Sequence, residues 1–238
     1  MSNIFLTAEW RKLIMANYAV DPAILKPYLP YKTELDLWNN TCYVSLVGFM
    51  FTHVKIKGIS IPFHTRFEEV NLRFYVRHHD GKSWKRGVVF ISEIVPKPAI
   101  ALVANTLYGE AYSTMAMRHA WEEINNNQRV AYQWRKKGHW HSLEVTADKQ
   151  PIDIEAESEP EFILEHYWGY NKRNELKTGA YGVEHPRWQI YPIESYKINA
   201  DFGALYGPQF EHLNRAEPLS VVLAEGSAVR IRDGIVIQ

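Results

Sequence analysis

Four polar side chains alternate along the segment 67–77, and their types suit the binding or protonation of a small polar molecule. Glu69, Asn71, Arg73 and Tyr75 are spaced two residues apart, and residues two apart share one face of a β-strand. A carboxylate can act as general acid or base, and a guanidinium can hold an anion with a fork of donors. The segment therefore predicts either one wall of a polar ligand pocket or a half-exposed strand with its polar side in water.

Other residues that could take part in catalysis or binding form weaker patterns. Glu93, on the next predicted strand, supplies a second carboxylate if the register places it on the same face. His139 and His141 share one face of a strand, but no third metal ligand is near them in the sequence. Cys42 lies in an apolar segment, which favours a buried, inert thiol. No HExxH, GxSxG, GxGxxG or Walker-type motif is present, so we expect neither a metal nor a cofactor.

The elements around the polar segment are predicted from local signals. The strict period of two predicts a strand over 67–77. Asp80-Gly81 is a strong hairpin signal, and 86–95 is expected to return as the partner strand. A helix is predicted from Pro98 to Tyr108, with Gly109 after its last turn.

The rest of the chain also favours strands. Gly48 marks a bulge or a close approach within a strand predicted over 41–54. Asp21 and Ser158 are suited to cap two short helices, and segments 112–122, 128–135 and 139–146 are expected to form a meander. Strands in meander order with three short helices predict an α+β fold, with a strongly bent or barrel-like sheet. No repeat or linker divides the chain, so residues 1–238 are expected to form a single domain.

Composition restricts the class of partner. Lysine and arginine number 27, as do aspartate and glutamate, so no net field favours nucleic acid or an anionic membrane. Cys42 is the single cysteine, residues 1–12 lack a secretion signal, and no apolar run approaches the roughly 20 residues that span a bilayer. These features predict a cytoplasmic protein. The aromatic share of 13% is compatible with a sheet core, a ligand pocket or a homodimer.

Several segments resemble a known family across nearly the whole chain. They are Trp10-Arg11, Asp21-Pro22, Tyr28-Leu29-Pro30, 44–49, Glu69-Val70-Asn71-Leu72-Arg73, 86–90, Glu93-Ile94-Val95-Pro96, Leu107-Tyr108-Gly109-Glu110 and, more loosely, His185-Pro186-Arg187-Trp188. Together they resemble the YqjF-like domains of unknown function, found mainly in bacteria and grouped with the acetoacetate decarboxylase-like superfamily. The resemblance implies a highly curved, largely antiparallel sheet that encloses a pocket.

The resemblance to acetoacetate decarboxylases carries over residue by residue with one departure. It implies that Arg11 matches a pocket arginine and Glu69 a pocket glutamate. The lysine pair that supplies the Schiff base falls on Ala111 and Tyr112, and no lysine occurs from 109 to 118. A phenol cannot form an imine, so we expect no Schiff-base decarboxylation.

Three functions remain open from the sequence. The first is a cofactor-free lyase, isomerase or hydrolase acting on a small oxo-acid-like compound. In it, Glu69 transfers a proton and Arg11 or Arg73 holds an anion, and the further substrate-binding candidates are Asn71, Tyr75, Glu93 and Tyr112. The second is a non-catalytic binder that senses or sequesters a metabolite in the same pocket. The third is a structural core in which Glu69 pairs with Arg73 and function lies on an outer surface.

Overall fold

Strands make up most of the molecule in the computed structural model, which describes residues 3–107 and 111–238. The strands are β1 (Ile4–Ala19), β2 (Glu34–Leu35), β3 (Tyr43–Ile56), β4 (Phe67–His79), β5 (Trp84–Val95), β6 (Tyr112–Thr114), β7 (Ala116–Ile124), β8 (Asn127–Lys136), β9 (His139–Asp148), β10 (Ile152–Asp153), β11 (Trp168–Asn174), β12 (Lys177–Glu184), β13 (Gln189–Tyr191), β14 (Ile193–Asn199), β15 (Ser220–Arg232) and β16 (Ile235–Ile237). The helices are α1 (Pro98–Leu107), α2 (Glu159–Leu164) and α3 (Phe202–Tyr206), with short 3₁₀ helices at Pro22–Ile24, Lys26–Tyr28 and Pro208–Asn214.

The larger sheet, of twelve strands, closes on itself. Its neighbours run β15, β1, β3, β4, β5, β11 and β12, and β12 then pairs with β15 through Val183 and Ile231. These pairings are antiparallel, except that β5 pairs in parallel with β11 and with the short strand β6. The sheet is therefore strongly curved and barrel-like, which confirms the predicted fold class.

A second sheet, in the order β14, β9, β8 and β7, covers the outer face of this barrel. Val70, Leu72 and Phe74 of β4 share one buried apolar cluster with Tyr132 and Trp134 of β8. Since side chains alternate along a strand, the polar positions of β4 must face the barrel interior.

The polar face of β4 is accordingly buried. Glu69 is 2% exposed and Asn71 is 1% exposed. The interpretation of β4 as a strand with its polar side in water is therefore wrong. Two cores on opposite faces of one sheet leave neither face of β4 to solvent.

Local signals fixed several boundaries correctly. Asp80 accepts hydrogen bonds from the N–H groups of Lys82 and Ser83 in the turn that joins β4 to β5. Ser158 caps α2 by accepting from the N–H of Glu161, and Asp21 caps the first 3₁₀ helix. The start of α1 at Pro98 also agrees, whereas its predicted end at Tyr108, with Gly109 after it, lies outside the described residues.

Gly48 is a point of close approach between the two sheets, as expected. A Cβ atom on Gly48 would lie 3.0 Å from the ring of Tyr132 and 3.4 Å from Leu143. The pairing of β1 with β3 shifts register next to it, and Lys12 there has a φ of 52°. Across the described ranges, no helix has both the length and the apolar character needed to span a bilayer.

Candidate functional site

A cavity of about 70 Å³ lies inside the barrel. Its wall is polar where β4 meets β5 and largely aromatic or aliphatic elsewhere. The lining residues are Trp10, Leu13, Val47, Phe49, Phe51, Glu69, Asn71, Arg73, Val88, Phe90, Glu93, Tyr112, His166, Trp168, Gly169, Tyr181, Val183 and Ile231. Five of the residues singled out from the sequence (Glu69, Asn71, Arg73, Glu93 and Tyr112) therefore share this wall.

Glu69 is the centre of the polar wall. One carboxylate oxygen accepts from Asn71 Nδ2 at 2.9 Å, and the other accepts from the Tyr112 hydroxyl at 2.9 Å. Glu93 pairs across the sheet with Asn71 on one side and with Tyr112 on the other. Burial and the two carboxylates raise the pKa of Tyr112 well above its ordinary value, so its phenol stays protonated and donates. The Oδ1 atom of Asn71 is buried and has no hydrogen-bond partner among the described residues.

Arg73 brings an unneutralised positive charge to the same wall. Among the described residues, its guanidinium lies 3.5 Å from the carbonyl oxygen of Ile163 and 3.6 Å from Met15 Sδ, and its central carbon lies 5.6 Å from the centroid of the Tyr75 ring. Its Nε is buried and, within the described part of the chain, without a hydrogen-bond partner. No described carboxylate lies within 4.0 Å of it, so the Glu69–Arg73 ion pair of the structural-core alternative is not formed. A cation in this state favours an anionic ligand.

His166 is a cavity residue that the sequence pattern did not reveal. Its Nε2 lies 3.2 Å from Asp36 Oδ2, which also accepts from Arg86 Nε at 2.6 Å. Burial opposes ionisation of Asp36, yet the hydrogen bonds from His166 and Arg86 hold its pKa below the ordinary value. Burial lowers the pKa of His166 to about 4. The imidazole is therefore neutral near pH 7, with its proton on Nε2.

The other nitrogen of His166, Nδ1, is buried and lacks a hydrogen-bond partner among the residues described. The only sequence signal in this region was the cap at Ser158, which predicts α2 and so places a helix just before His166. Asp36 follows the short strand β2, where no pattern stands out. The contact joins residues 130 positions apart, a pairing that no local signal encodes.

Arg11 and Tyr75 are not part of the cavity wall, which corrects two expectations. Trp10 takes the inward position on β1, so Arg11 lies on the opposite face. There it binds Glu9 at 2.9 Å and approaches Glu225 at 3.6 Å. Tyr75 is buried beyond the cavity, with its hydroxyl 2.7 Å from Ser45 Oγ.

The two histidines of β9 do not act together. His141 is buried and stacks on Trp134 with ring centroids 5.8 Å apart, and its Nδ1 accepts from the N–H of Asp201. His139 is exposed. In residues 3–107 and 111–238, no three His, Cys, Asp or Glu side chains are grouped as metal ligands would be.

A comparison with protein families identifies the family of the chain. Residues 7–228 match DUF2071, described as "Uncharacterized conserved protein (COG2071)". The chain belongs to this family. One relative of this DUF2071 protein is "Uncharacterized protein YqjF" of Bacillus subtilis (strain 168), 27% identical over 191 residues, which cover 78% of this chain and 75% of the relative.

Solved structures share the fold of this DUF2071 chain at low sequence identity. Acetoacetate decarboxylase from Legionella pneumophila superposes with a TM-score of 0.68 at 13% identity, covering 98% of this chain and 87% of the other. The enduracididine biosynthesis enzyme MppR complexed with pyruvate gives 0.71 at 12% identity, with 100% and 91% covered. An acetoacetate decarboxylase-like enzyme from Sphingomonas wittichii RW1 gives 0.67 at 14% identity, with 99% and 94% covered. The fold is therefore acetoacetate decarboxylase-like.

Proposed function

We propose that this DUF2071 protein binds a small anionic, oxo-acid-like metabolite in the barrel cavity. The observation that supports this proposal most is that Arg73 lines the cavity and has no described carboxylate within 4.0 Å. A partly buried guanidinium without a counter-charge is costly, and a bound carboxylate offsets that cost with charge-assisted hydrogen bonds. MppR, which has the same fold, is complexed with pyruvate, a small 2-oxo acid.

The chemistry we propose is proton transfer by Glu69 without a Schiff base. Glu69 and Arg73 line the same cavity, and Tyr112 donates to the Glu69 carboxylate. No lysine occurs from 109 to 118, and none is among the described cavity-lining residues. A lyase, isomerase or hydrolase reaction that uses a carboxylate acid or base and no cofactor fits these groups.

A non-catalytic binder is the second candidate, and the hydrogen bonds of Glu69 favour it. Asn71 and Tyr112 both donate to this carboxylate, so both of its oxygens are engaged before a ligand binds. In this case the protein senses or sequesters the metabolite. Mass spectrometry of the recovered ligand separates the two functions, because a sensor returns it unchanged and an enzyme returns a product.

The test of the proposed function is a thermal-shift screen against keto acids, hydroxy acids, lactones and acyl compounds. A ligand at a hundred times its Kd adds about 2.7 kcal/mol, so the Tm should rise by several degrees. Arg73→Gln and Glu69→Gln should each abolish the rise. Arg11→Gln is the matched control: Arg11 lies outside the cavity, so this variant should keep the ligand-induced rise in Tm. An equal rise in Arg73→Gln would contradict the proposal.

We further propose that the protein acts in the cytoplasm. Cys42 is its single cysteine and is buried in the folded chain. A homodimer remains a prediction, which light scattering of the purified protein would test.

A further inference from the structure

A second chamber adjoins the barrel cavity described above, which we call the polar chamber, and differs from it in the character of its lining. It measures about 100 Å³ and is lined mainly by apolar side chains of β1, β3 and α1. Phe51, Glu93, Tyr112, Tyr181 and Ile231 line both chambers, so the two share a wall. In the described part of the chain, Glu93 is the only charged residue among the apolar chamber's lining residues.

The polar chamber is smaller than a 2-oxo acid such as pyruvate. A cavity of about 150 Å³ accommodates the six carbons of benzene. By that measure 70 Å³ holds about three non-hydrogen atoms, the size of one carboxylate group. The rest of any ligand anchored at Arg73 must extend beyond this chamber.

The sequence order along β4 sets the direction of that extension. Phe67 lines the apolar chamber, whereas Glu69, Asn71 and Arg73 line the polar one. Asn71 lies between Glu69 and Arg73 on this face of the strand. A ligand that starts at Arg73 therefore passes Glu69 before it reaches the apolar chamber.

We infer that the ligand is an amphiphilic carboxylate whose apolar tail occupies the chamber formed by β1, β3 and α1. This inference rests on the proposed function for the position of the carboxylate, and it specifies the substrate class. The tail is short, because 100 Å³ holds about four non-hydrogen atoms.

The experiment is a titration of the full chain with straight-chain carboxylates from propanoate to octanoate, with 1-hexanol as a neutral probe. A buried methylene contributes about 0.8 kcal/mol. Each added methylene should therefore tighten binding about fourfold until the apolar chamber is full, after which the Kd should stop falling.

Two variants on α1 provide the matched comparison. Ala104 lines the apolar chamber, so Ala104→Phe should fill the chamber and remove the dependence of affinity on chain length. Leu102 is 68% exposed on the same helix, and Leu102→Phe should behave as wild type. Val103→Ala enlarges the chamber and should move the tightest binding to a longer acid, which keeps the test valid if Ala104→Phe does not fold.

The outcomes separate the inference from the proposed function. Equal affinity for propanoate and octanoate would overturn the inference and leave the anion site intact. Equal affinity for hexanol and hexanoate, with hexanol binding lost in Ala104→Phe, would support the tail chamber and overturn the anion anchor. Binding of neither acids nor hexanol would overturn both.

Discussion

At the scale of single residues, β4 carries a positive side chain, Arg73, and an acidic side chain, Glu69, at separate positions on the face that lines the barrel interior. Arg73 and Glu69 lie four residues apart on β4, and Glu93 of β5 pairs with Asn71 between them. Tyr112 donates to Glu69, so the acidic side chain is partly satisfied within the protein. In the proposed function, Arg73 binds the anionic group of the ligand and Glu69 exchanges a proton with it.

His166 predicts a pH dependence of stability that belongs to one side chain. Its folded pKa of about 4 lies below the ordinary value of about 6.5, so the unfolded chain binds more protons between these pH values. Stability is complete above pH 6.5 and falls as the pH drops towards 4, by about 3 kcal/mol at pH 4. His141 and His185, whose pKa values are also lowered by burial, add to the same slope.

Urea unfolding across this pH range checks the prediction. His166→Gln keeps a donor for Asp36 but cannot ionise, so it should make the curve between pH 6.5 and 4 shallower and leave the part due to His141 and His185. His139→Gln, at an exposed position, should leave the curve as in wild type. An unchanged slope in His166→Gln would show that the imidazole is not buried neutral.

At the scale of elements, the sequence predicts what is local and leaves open what joins distant segments. The alternation in β4 gave the strand, and Asp80-Gly81 gave the turn to β5. Arg11 was expected on the cavity wall from the resemblance, which matches positions along the chain. Which side chains of β1 point inward depends instead on packing, and Trp10 takes the inward position. The contact of His166 with Asp36 depends on how α2 and the segment after β2 pack, which no periodicity encodes.

The β11–β12 hairpin shapes the cavity through one glycine. Gly169 pairs directly with Tyr181, and both line the polar chamber. A Cβ atom on Gly169 would lie 2.2 Å from the Tyr181 ring, so Gly169→Ala must displace that ring. We expect a loss of about 1–3 kcal/mol in stability and loss of the ligand-induced rise in Tm.

Gly182 provides the control on the same hairpin. A Cβ atom there would have its nearest neighbour at 3.9 Å, so Gly182→Ala should keep ligand binding. Full binding in Gly169→Ala would show that the Tyr181 ring moves away from the cavity, and that its position does not limit ligand entry.

At the scale of the whole molecule, barrel closure and the second sheet depend on contacts that are distant in sequence. The pairing of β12 with β15 closes the ring through Val183 and Ile231, and both residues also line the polar chamber. The cavity thus exists only once the ring is closed. Its polar face could be recognised from β4 alone, but its enclosure could not, because a strand pattern does not specify its distant neighbours.

The contact between the two sheets predicts that they unfold together. Gly48 of β3 lies against Tyr132 and Leu143 of the second sheet, and buried residues of both sheets form one apolar cluster. Thermal unfolding should therefore give one transition, with the same midpoint by far-UV circular dichroism and tryptophan fluorescence. Gly48→Ala should lower stability by about 1–3 kcal/mol through overpacking and should retain the single transition. Two separated transitions in wild type would contradict the single-domain prediction, and separation only in Gly48→Ala would locate the coupling at this contact.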